Sequence, residues 1–528
     1  MSDSDSRLSN LVRVWIGLLV LIGVASRVAP FFNQDGRLLK QWPTEDGYLM
    51  LTIARNMALG MNMSTADGSI PTNGTQPLMT LVYALAFAAT GGSKVGGVLL
   101  AQVIQLALIS LAAWLLYRLA RAVLPANTSD FVPASIAAIW YASQFSVANS
   151  MNCLETGAYA LCIIASLLVF VRWKGYARTA WKWPQVFVLG VLLGITFLVR
   201  IDAVFFIFAV LSCRVLAIFS SGTASILRLA VEATISGLVS LLVGLPWLVD
   251  NYVNFGSIMP ISGSAQERVK YELIGDFSRI AVKICEYIFI VLPIPDPLEI
   301  SAVVRIVSVL TVAVFLVYLC RTALIERNAW GALLTIVAIL MLGWFGYYGL
   351  RSRATWFYGR YFFPLSPLLT LITVSVVTSL AGKIPRNWQP SVAVSIMSVV
   401  LVIVVATNIR LYVNGVQHQH FQVVEWVATH VAPDVWVGAV QTGTLGFFHD
   451  RTINLDGKVN PEALRANRLN RLPQYVIDSK IQYLVDWAGL VKTWDHPPLS
   501  DHFRPLLLDE EHNLSVMVRE GKATGRPL

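Results

Sequence analysis

Charged residues are scarce in this sequence. Asp, Glu, Lys and Arg make up 13% of the 528 residues and 56% are hydrophobic, and the charged share is roughly half of what soluble proteins carry. So few charges cannot give a folded chain of this size a polar surface. Several uncharged runs reach about 18 residues or more, long enough to cross a bilayer. The composition excludes a large soluble protein and predicts a polytopic membrane protein.

Signatures of several other protein classes are also missing. The five cysteines show no CxxC spacing, so neither a disulfide framework nor a cysteine metal site is indicated. Neither GxxxxGK[ST] nor a strand-bound GxGxxG occurs, so no nucleotide site is predicted. The net charge of +9 resides mostly in short loops and forms no basic stripe with interleaved aromatics, which argues against nucleic acid as a partner. The polar N-terminus has no basic region, so we expect the first apolar run to remain as an uncleaved helix.

Eleven apolar runs are predicted to cross the membrane. They cover residues 12–31, 96–121, 131–151, 154–171, 185–200, 202–220, 229–249, 302–320, 329–350, 362–381 and 391–412. Two shorter apolar stretches, 77–90 and 281–294, are interpreted as interfacial or re-entrant helices because they are short for a span. The predicted fold is therefore an α-helical bundle of about eleven transmembrane helices.

The distribution of Lys and Arg predicts the orientation of these spans. From a cytoplasmic N-terminus, every even-numbered span ends at a basic loop, as the positive-inside rule requires. Three longer segments, 32–76, 250–301 and 413–528, then face the other side. The last is polar, with short apolar runs typical of strands. We predict a transmembrane domain over 1–412 and a small extracytoplasmic α/β domain over 413–528.

The first outer loop, 32–76, carries two adjacent carboxylates. Glu45 and Asp46 follow directly on a membrane span, where partial desolvation would allow one of them to act as a general base. Tyr48 to Leu59 can form an amphipathic helix that carries Arg55. An alternative interpretation remains open, in which the two acids are solvated first-turn residues of that helix.

Other charged residues lie at the predicted outer ends of spans. They are Glu155, Arg200, Asp202, Arg351, Arg353 and Arg360. Charges at membrane depth are costly and usually functional. The structural alternatives are an ion pair between Arg200 and Asp202, a helix-start carboxylate at Glu155, and snorkelling of Arg351 and Arg353 to the interface.

The first outer loop resembles that of membrane glycosyltransferases of the C-type fold. Their pattern reads approximately D-D/E-x-Y, then R-N-x-x-x-G-x-G, then G-x-x-P-x-N-x-x-Q/S-P-L. The matching residues here are Asp46, Tyr48, Arg55, Asn56, Gly60, Asn73, Gln76, Pro77 and Leu78. Gly47 follows Asp46, so the acidic pair is Glu45-Asp46. Because Asp46 stands at the position of the family's first-loop aspartate, two residues before Tyr48, the resemblance favours Asp46 as the base, with Glu45 assisting it or competing for the role.

Further motifs of these enzymes recur in the same order along the chain. They are Leu154-Glu155-Thr156 for G-L-E-T, Leu198 to Asp202 for L-x-R-x-D, Asn251 to Pro260 for N-x-x-x-F-G-S-x-x-P, Arg360-Tyr361 with Pro364 for R-Y-x-x-P, and Asn454 to Gly457 for N-L-D-G. The chain thus resembles bacterial aminoarabinose, arabinofuranosyl and O-mannosyl transferases. This implies a bacterial inner-membrane enzyme that uses a polyprenyl-phosphate sugar.

That resemblance implies roles for the polar residues. The reaction would be an inverting transfer to a cell-envelope glycan, lipid or protein, with Asp46 or Glu45 as base. The donor phosphate would bind cations, since arginine can hold phosphate with two hydrogen bonds. The candidates are Arg200, Lys270, Arg360, Arg351 and Arg353. Candidates for substrate binding are Tyr48, Arg55, Asn73, Gln76, Glu155, Asp202 and Tyr252.

Metal binding and two rival functions stay open. His418 and His420 have no carboxylate or cysteine at ligand spacing, so no metal is assigned to them. Some relatives of this fold use a divalent cation, which Glu45, Asp46 and Glu155 could host. The rivals are a transporter or flippase of a lipid-linked substrate and a non-catalytic scaffold. Transporters usually place polar residues on broken helices near mid-bilayer, whereas here they are predicted at the outer ends of spans.

Overall fold

The structure is a computed structural model. It describes residues 3–32, 36–266, 273–351, 357–385, 388–415 and 420–521. The helices of the membrane part are α1 Asp3–Val28, α2 Arg37–Lys40, α3 Glu45–Ala58, α4 Pro77–Ala89, α5 Lys94–Val123, α6 Phe131–Ala142, α7 Gln144–Ser150, α8 Thr156–Arg172, α9 Trp183–Val199, α10 Ala203–Leu216, α11 Ile226–Phe255, α12 Ile261–Ala265, α13 Leu273–Ile288, α14 Asp296–Glu299, α15 Ala302–Ile325, α16 Ala329–Arg351, α17 Tyr358–Phe362, α18 Ser366–Ala381 and α19 Gln389–Asn414. A two-residue hairpin, β1 Ser64–Thr65 and β2 Ile70–Pro71, lies in the first outer loop.

The chain is a multi-pass membrane protein. Within the described ranges, seven helices are long and apolar enough to span a bilayer, and α6 with α7, bent by 59°, forms a broken eighth candidate. The seven are Asn10–Phe32, Lys94–Val123, Ile226–Phe255, Ala302–Ile325, Ala329–Leu350, Tyr358–Ala381 and Gln389–Asn414. The three other predicted spans coincide with the shorter apolar helices Thr156–Arg172, Trp183–Val199 and Ala203–Phe219. The polytopic helical fold is confirmed, and the number of eleven spans stays a prediction.

Close helix packing builds the bundle. Helix α9 runs along α11, and α5 runs along α8. A Cβ atom added at Gly190 would come within 2.6 Å of the Val239 side chain, and one added at Gly194 within 2.5 Å of Val243. Small residues let helices approach in lipid, where association depends on packing contacts. The C-terminal end of α9 leads directly into Arg200 and the start of α10.

A small mixed sheet forms the core of the C-terminal domain, as predicted. The strand order is β4-β3-β5-β7-β6, with β3 Val437–Ala439 parallel to β4 Thr452–Asn454 and β5 Tyr483–Asp486, and with β7 Leu514–Arg519 antiparallel to β5 and β6 Phe503–Asp509. Its helices are α20 Phe421–His430, α21 Gly443–Phe448, α22 Pro461–Arg468, α23 Leu472–Asp478 and α24 Ala488–Lys492.

The C-terminal domain is packed onto the first outer loop. Helix α21 contacts α3 along its length. The ring of Tyr48 lies 5.0 Å from that of Phe447 and 5.7 Å from that of Phe448. Asp450 forms ion pairs with Arg55 at 3.3 Å and with Lys94 at 3.1 Å. Phe447 belongs to the same buried cluster as the membrane helices, so the domain is an extension of the bundle.

Candidate active site

A cavity of about 160 Å³ lies between the ends of the membrane helices and the C-terminal domain. Its walls come from α3, the loop before α4, the ends of α9 and α16, the segment after α11, α17 and the C-terminal domain. The lining residues are Asp46, Leu49, Met50, Gly74, Thr75, Gln76, Leu154, Glu155, Arg200, Ile201, Asp202, Met259, Pro260, Ser262, Gly263, Gln266, Tyr347, Tyr348, Arg360, Tyr361 and Lys458.

Asp46 is held in this cavity by two cations. The Thr44 hydroxyl caps α3 by accepting from the Gly47 amide at 3.1 Å, which places Asp46 in the first turn. Nη1 of Arg360 donates to Oδ2 of Asp46 at 2.7 Å, and Nζ of Lys458 lies 3.7 Å from Oδ1. Burial acts to raise the pKa of Asp46, but Lys458 and Arg360 outweigh it and lower that pKa to about 2.

Lys458 is a site residue that the sequence analysis missed. It directly follows the Asn454–Gly457 motif, and its Nζ also lies 3.5 Å from Oδ2 of Asp456. The amide of Gly457, at φ 84°, donates to Oδ1 of Asn454 at 3.0 Å. The Asn454–Gly457 motif could therefore have pointed to Lys458, because the tight turn of the motif places the next residue at the cavity.

Arg200, Asp202 and Glu155 form a buried ion network on another wall. Nη2 of Arg200 lies 3.2 Å from Oδ2 of Asp202, and its Nε lies 3.7 Å from Oε1 of Glu155. The Tyr348 hydroxyl accepts from Nη2 of Arg200 at 2.9 Å and donates to Asp202. Among the described residues, Nη1 of Arg200 and Oδ1 of Asp202 are buried without a hydrogen-bond partner. Two polar atoms of the network, one donor and one acceptor, therefore have unused hydrogen-bonding capacity.

Two aromatic residues and two amides complete the polar wall. The rings of Tyr348 and Tyr361 stack at 4.8 Å, and the Arg200 guanidinium lies 4.9 Å from the centre of the Tyr361 ring. The Tyr361 hydroxyl donates to Oε1 of Gln266 at 2.8 Å. Oε1 of Gln76 is buried without a partner among the described residues. Tyr361 entered the sequence analysis only as a member of the R-Y-x-x-P motif, and Tyr348 and Gln266 were not singled out. A tyrosine near a span end is equally typical of an interfacial anchor.

Glu45 has a different environment from its neighbour. Its carboxylate accepts hydrogen bonds from the amide of Gly443, and from the amide of Thr444 at 2.9 Å as well as the Thr444 hydroxyl. Burial raises the pKa of Glu45 to about 7, against the effect of these hydrogen bonds. Glu45 does not line the cavity. It connects α3 to the start of α21.

Four predicted substrate-binding residues lie away from the cavity lining. The Tyr48 hydroxyl donates to the Leu39 carbonyl at 2.6 Å, and Arg55 pairs with Asp450. Asn73 is buried and donates to Oδ1 of Asn251 at 2.9 Å, so it joins the first outer loop to the last turns of α11. Tyr252 is 65% exposed on α11. Their geometry gives the first three a positioning role, and Tyr252 a surface position.

Some candidates cannot be placed in the site. Lys270 and Arg353 lie outside the described residues, as does His418, and Arg351 ends α16 with a side chain that is also outside them. In the part of the chain that is described, no group of three His, Cys, Asp or Glu side chains could hold a metal ion. Asp46 and Glu155 are each paired with arginine. That arrangement does not resemble the clustered oxygen ligands of a divalent cation.

A family model and several solved structures resemble this chain. Residues 407–516 match a family described as "Domain of unknown function (DUF8728)", which covers the end of α19 and most of the C-terminal domain. No curated protein sequence matches the chain.

The solved structures share the fold of the whole chain. ArnT from Cupriavidus metallidurans, bound to undecaprenyl phosphate, is 12% identical with a TM-score of 0.58, over 98% of this chain and 100% of that one. The oligosaccharyltransferase AglB from Archaeoglobus fulgidus, in complex with an inhibitory peptide and a dolichol-phosphate, is 12% identical with a TM-score of 0.53, over 98% and 75%. At these identities the similarity establishes the fold. The chain has the C-type glycosyltransferase fold, as its motifs indicated.

Proposed function

We propose that this protein is an inverting glycosyltransferase that moves a sugar from a polyprenyl-phosphate donor to an acceptor outside the cytoplasm. The observation that carries the proposal is the carboxylate of Asp46, which faces a cavity shared with Arg360, Lys458 and Arg200. A base for the acceptor and cations for a phosphate are the two chemical groups that such a transfer needs.

The proposed step is a single displacement at the anomeric carbon of the donor sugar. The acceptor hydroxyl oxygen forms a bond to that carbon, and its proton passes to Asp46. The bond from the anomeric carbon to the phosphate oxygen breaks, and its electron pair stays on the phosphate, which leaves on its lipid. Attack from the side opposite the leaving phosphate inverts the anomeric centre.

The donor class is supported by the fold and by the cavity. ArnT is bound to undecaprenyl phosphate and AglB to a dolichol-phosphate in the two similar structures. Apolar side chains of Leu49, Met50 and Met259 line the cavity beside the charged groups, which suits a ligand with an apolar chain and a charged head. Arg200, Arg360 and Lys270 remain the proposed phosphate ligands, although Lys270 lies outside the described residues.

The proposed location is the bacterial inner membrane, with the C-terminal domain on the outer side. The basic loops place the N-terminus in the cytoplasm, which puts the cavity on the extracytoplasmic side. The acceptor would then be a cell-envelope glycan, lipid or protein.

The test is transfer of label from radiolabelled polyprenyl-phosphate sugars to a crude envelope acceptor fraction by the purified protein. We expect transfer by the wild-type protein and by the Glu45→Gln variant, and loss of transfer by Asp46→Asn. The same label followed in proteoliposomes would reveal the rival function. Movement of intact donor across the bilayer without transfer, equal in wild type and Asp46→Asn, would identify a flippase and overturn the proposal.

A further inference from the structure

We propose that Arg360 and Lys458 exchange partners during the reaction. In the free protein they hold Asp46, and on donor binding they turn to the donor phosphate, so that binding of the donor releases the base. This inference rests on the proposed function and assigns Lys458, from the C-terminal domain, to phosphate binding.

Arg360 and Lys458 are placed so that each can contact either Asp46 or a phosphate in the same cavity. Arg360 and Lys458 contact the two different oxygens of Asp46, at 2.7 Å and 3.7 Å. All three side chains are 16–18% exposed and line the same cavity. A phosphate entering that cavity would meet the same two cations. Charge-assisted hydrogen bonds to phosphate oxygens are as favourable as those to a carboxylate, so the two anions compete.

Hydrogen bonds and close packing fix the backbone around Lys458, so a change of partner would need only a rotation of its side chain. The Lys458 amide donates to Oδ1 of Asp456 at 2.8 Å, and Nδ2 of Asn460 donates to the Asn454 carbonyl at 2.8 Å. Gly74 of the first outer loop packs against the Lys458 carbonyl so closely that an added Cβ would overlap it. The Cα atom of Lys458 is therefore fixed in position, and its ammonium group can reach either Asp46 or an anion bound nearby.

The exchange of partners would explain how Asp46 can act as a base although its pKa is low in the free protein. A carboxylate with a pKa of about 2 is a weak base, because general bases work best when their pKa lies near the operating pH. Transfer of both cations to a phosphate would remove the groups that lower this pKa and would place a second anion near Asp46. Both effects raise its basicity when the acceptor must be deprotonated. Departure of the lipid phosphate returns the cations to Asp46, which then releases its proton.

The balance of charges around Asp46 predicts how its substitution changes binding of the lipid phosphate. Asp46 and Asp456 offset Arg360 and Lys458 in the free site. Asp46→Asn removes one negative charge with little change of shape, so it leaves both cations available to a phosphate. The variant that abolishes the proposed base should therefore bind the lipid phosphate more tightly than wild type.

The experiment measures binding of undecaprenyl phosphate, with no sugar attached, to the purified full-length protein. We expect Asp46→Asn to bind at least about tenfold more tightly, and Lys458→Met and Arg360→Met at least about tenfold more weakly, since one charge-assisted contact is worth about that factor or more. Lys458→Arg should restore most of the loss. Lys492→Met serves as the matched control, because this exposed lysine pairs with Glu510 in the same domain.

The double variant Asp46→Asn with Lys458→Met separates exchange from a general charge effect. If the partners are shared, the gain from Asp46→Asn shrinks when Lys458 is absent, and the effects are not additive. Equal or weaker binding by Asp46→Asn overturns the exchange even when sugar transfer is established. Tighter binding by Asp46→Asn without transfer in wild type supports the exchange and contradicts the proposed function instead.

Discussion

Glu45 and Asp46 are adjacent in the chain, but their carboxylates face different surroundings. Glu45 accepts hydrogen bonds from Gly443 and Thr444 of the C-terminal domain, whereas Asp46 lines the cavity and accepts from Arg360. Successive residues on a helix point about 100° apart. The first turn of α3 can therefore direct Glu45 to the C-terminal domain and Asp46 into the cavity. The pair therefore combines an anchor for the domain with the proposed base.

The first prediction separates these two roles by isosteric substitution. Asp46→Asn should lower kcat by about a hundred- to ten-thousand-fold, the usual contribution of a positioned base. It also removes the ionic partner of Arg360 and Lys458, so its melting temperature should fall as well, and turnover is the readout that separates the two acids. Glu45→Gln should keep most of the turnover and lower the melting temperature, because it weakens charge-assisted hydrogen bonds to α21. Kinetics and thermal unfolding of the two purified variants provide the measurement. The reverse pattern would make Glu45 the base.

The second prediction concerns pH. In the free protein Asp46 has a pKa of about 2, so it stays ionised as pH falls toward that value and kcat/KM should show no acidic limb from it between about pH 4 and 8. In the donor complex its pKa should be higher, so the acidic limb of kcat should lie at higher pH than that of kcat/KM, since the two report complex and free enzyme. Lys458→Met removes a cation and should move the kcat/KM limb upward.

Glu45 provides the control for that pH profile. Burial raises its pKa to about 7, so an acidic limb near neutrality could belong to it. The limb that Asp46 governs should be the same in Glu45→Gln and in wild type. A kcat limb that disappears in Glu45→Gln would assign it to Glu45 and contradict the interpretation.

The third prediction distinguishes structure from ligand binding at Arg200. Its side chain is 4% exposed and faces Asp202 and Glu155. Arg200→Met leaves these acids without their cation and should destabilise the protein by about 3–5 kcal/mol. Adding Asp202→Asn should recover part of the stability. If Nη1 of Arg200 binds the donor, the double variant stays defective in donor KM although it is folded. If the double variant recovers both stability and donor KM, Arg200 serves only as a structural ion pair at the helix end.

The fourth prediction tests the contact between the domains. A Cβ atom at Gly443 would overlap the backbone carbonyl of Glu45, so Gly443→Ala should cost about 1–3 kcal/mol in unfolding free energy and reduce activity by shifting Lys458. Gly489→Ala is the matched control, because its nearest neighbour would be Trp487 at 3.9 Å. Equal melting temperatures for the two variants would contradict the close approach.

The fifth prediction concerns topology. Fusions of alkaline phosphatase and green fluorescent protein after the last residue should give phosphatase activity and no fluorescence, because the positive-inside rule places the C-terminal domain outside. A fluorescent fusion without phosphatase activity would invert the orientation and remove the argument for an extracytoplasmic acceptor.

The sequence by itself determined the fold class and several members of the site. Apolar run length is a local property, so the predicted spans coincide with apolar helices, although the span 131–151 is divided between α6 and α7. The motif order located Asp46, Gln76, Glu155, Arg200, Asp202 and Arg360, all of which line the cavity. Three other motif residues, Tyr48, Arg55 and Asn73, do not line the cavity and instead make contacts that position the loop.

Only the tertiary structure decided which carboxylate faces the cavity and which cations surround it. Helix α21 packs against α3 and its first residues donate hydrogen bonds to Glu45, whereas the side chain of Asp46 faces the cavity. Lys458 reaches Asp46 because the C-terminal sheet, its helices and the first outer loop pack against one another. Electrostatic and hydrogen-bond partners depend on distance in space, and distances between segments far apart in the chain are set by packing of the whole molecule. The motif position therefore favoured Asp46 over its neighbour, and the packing of the whole molecule determined that Asp46, and not Glu45, lines the cavity.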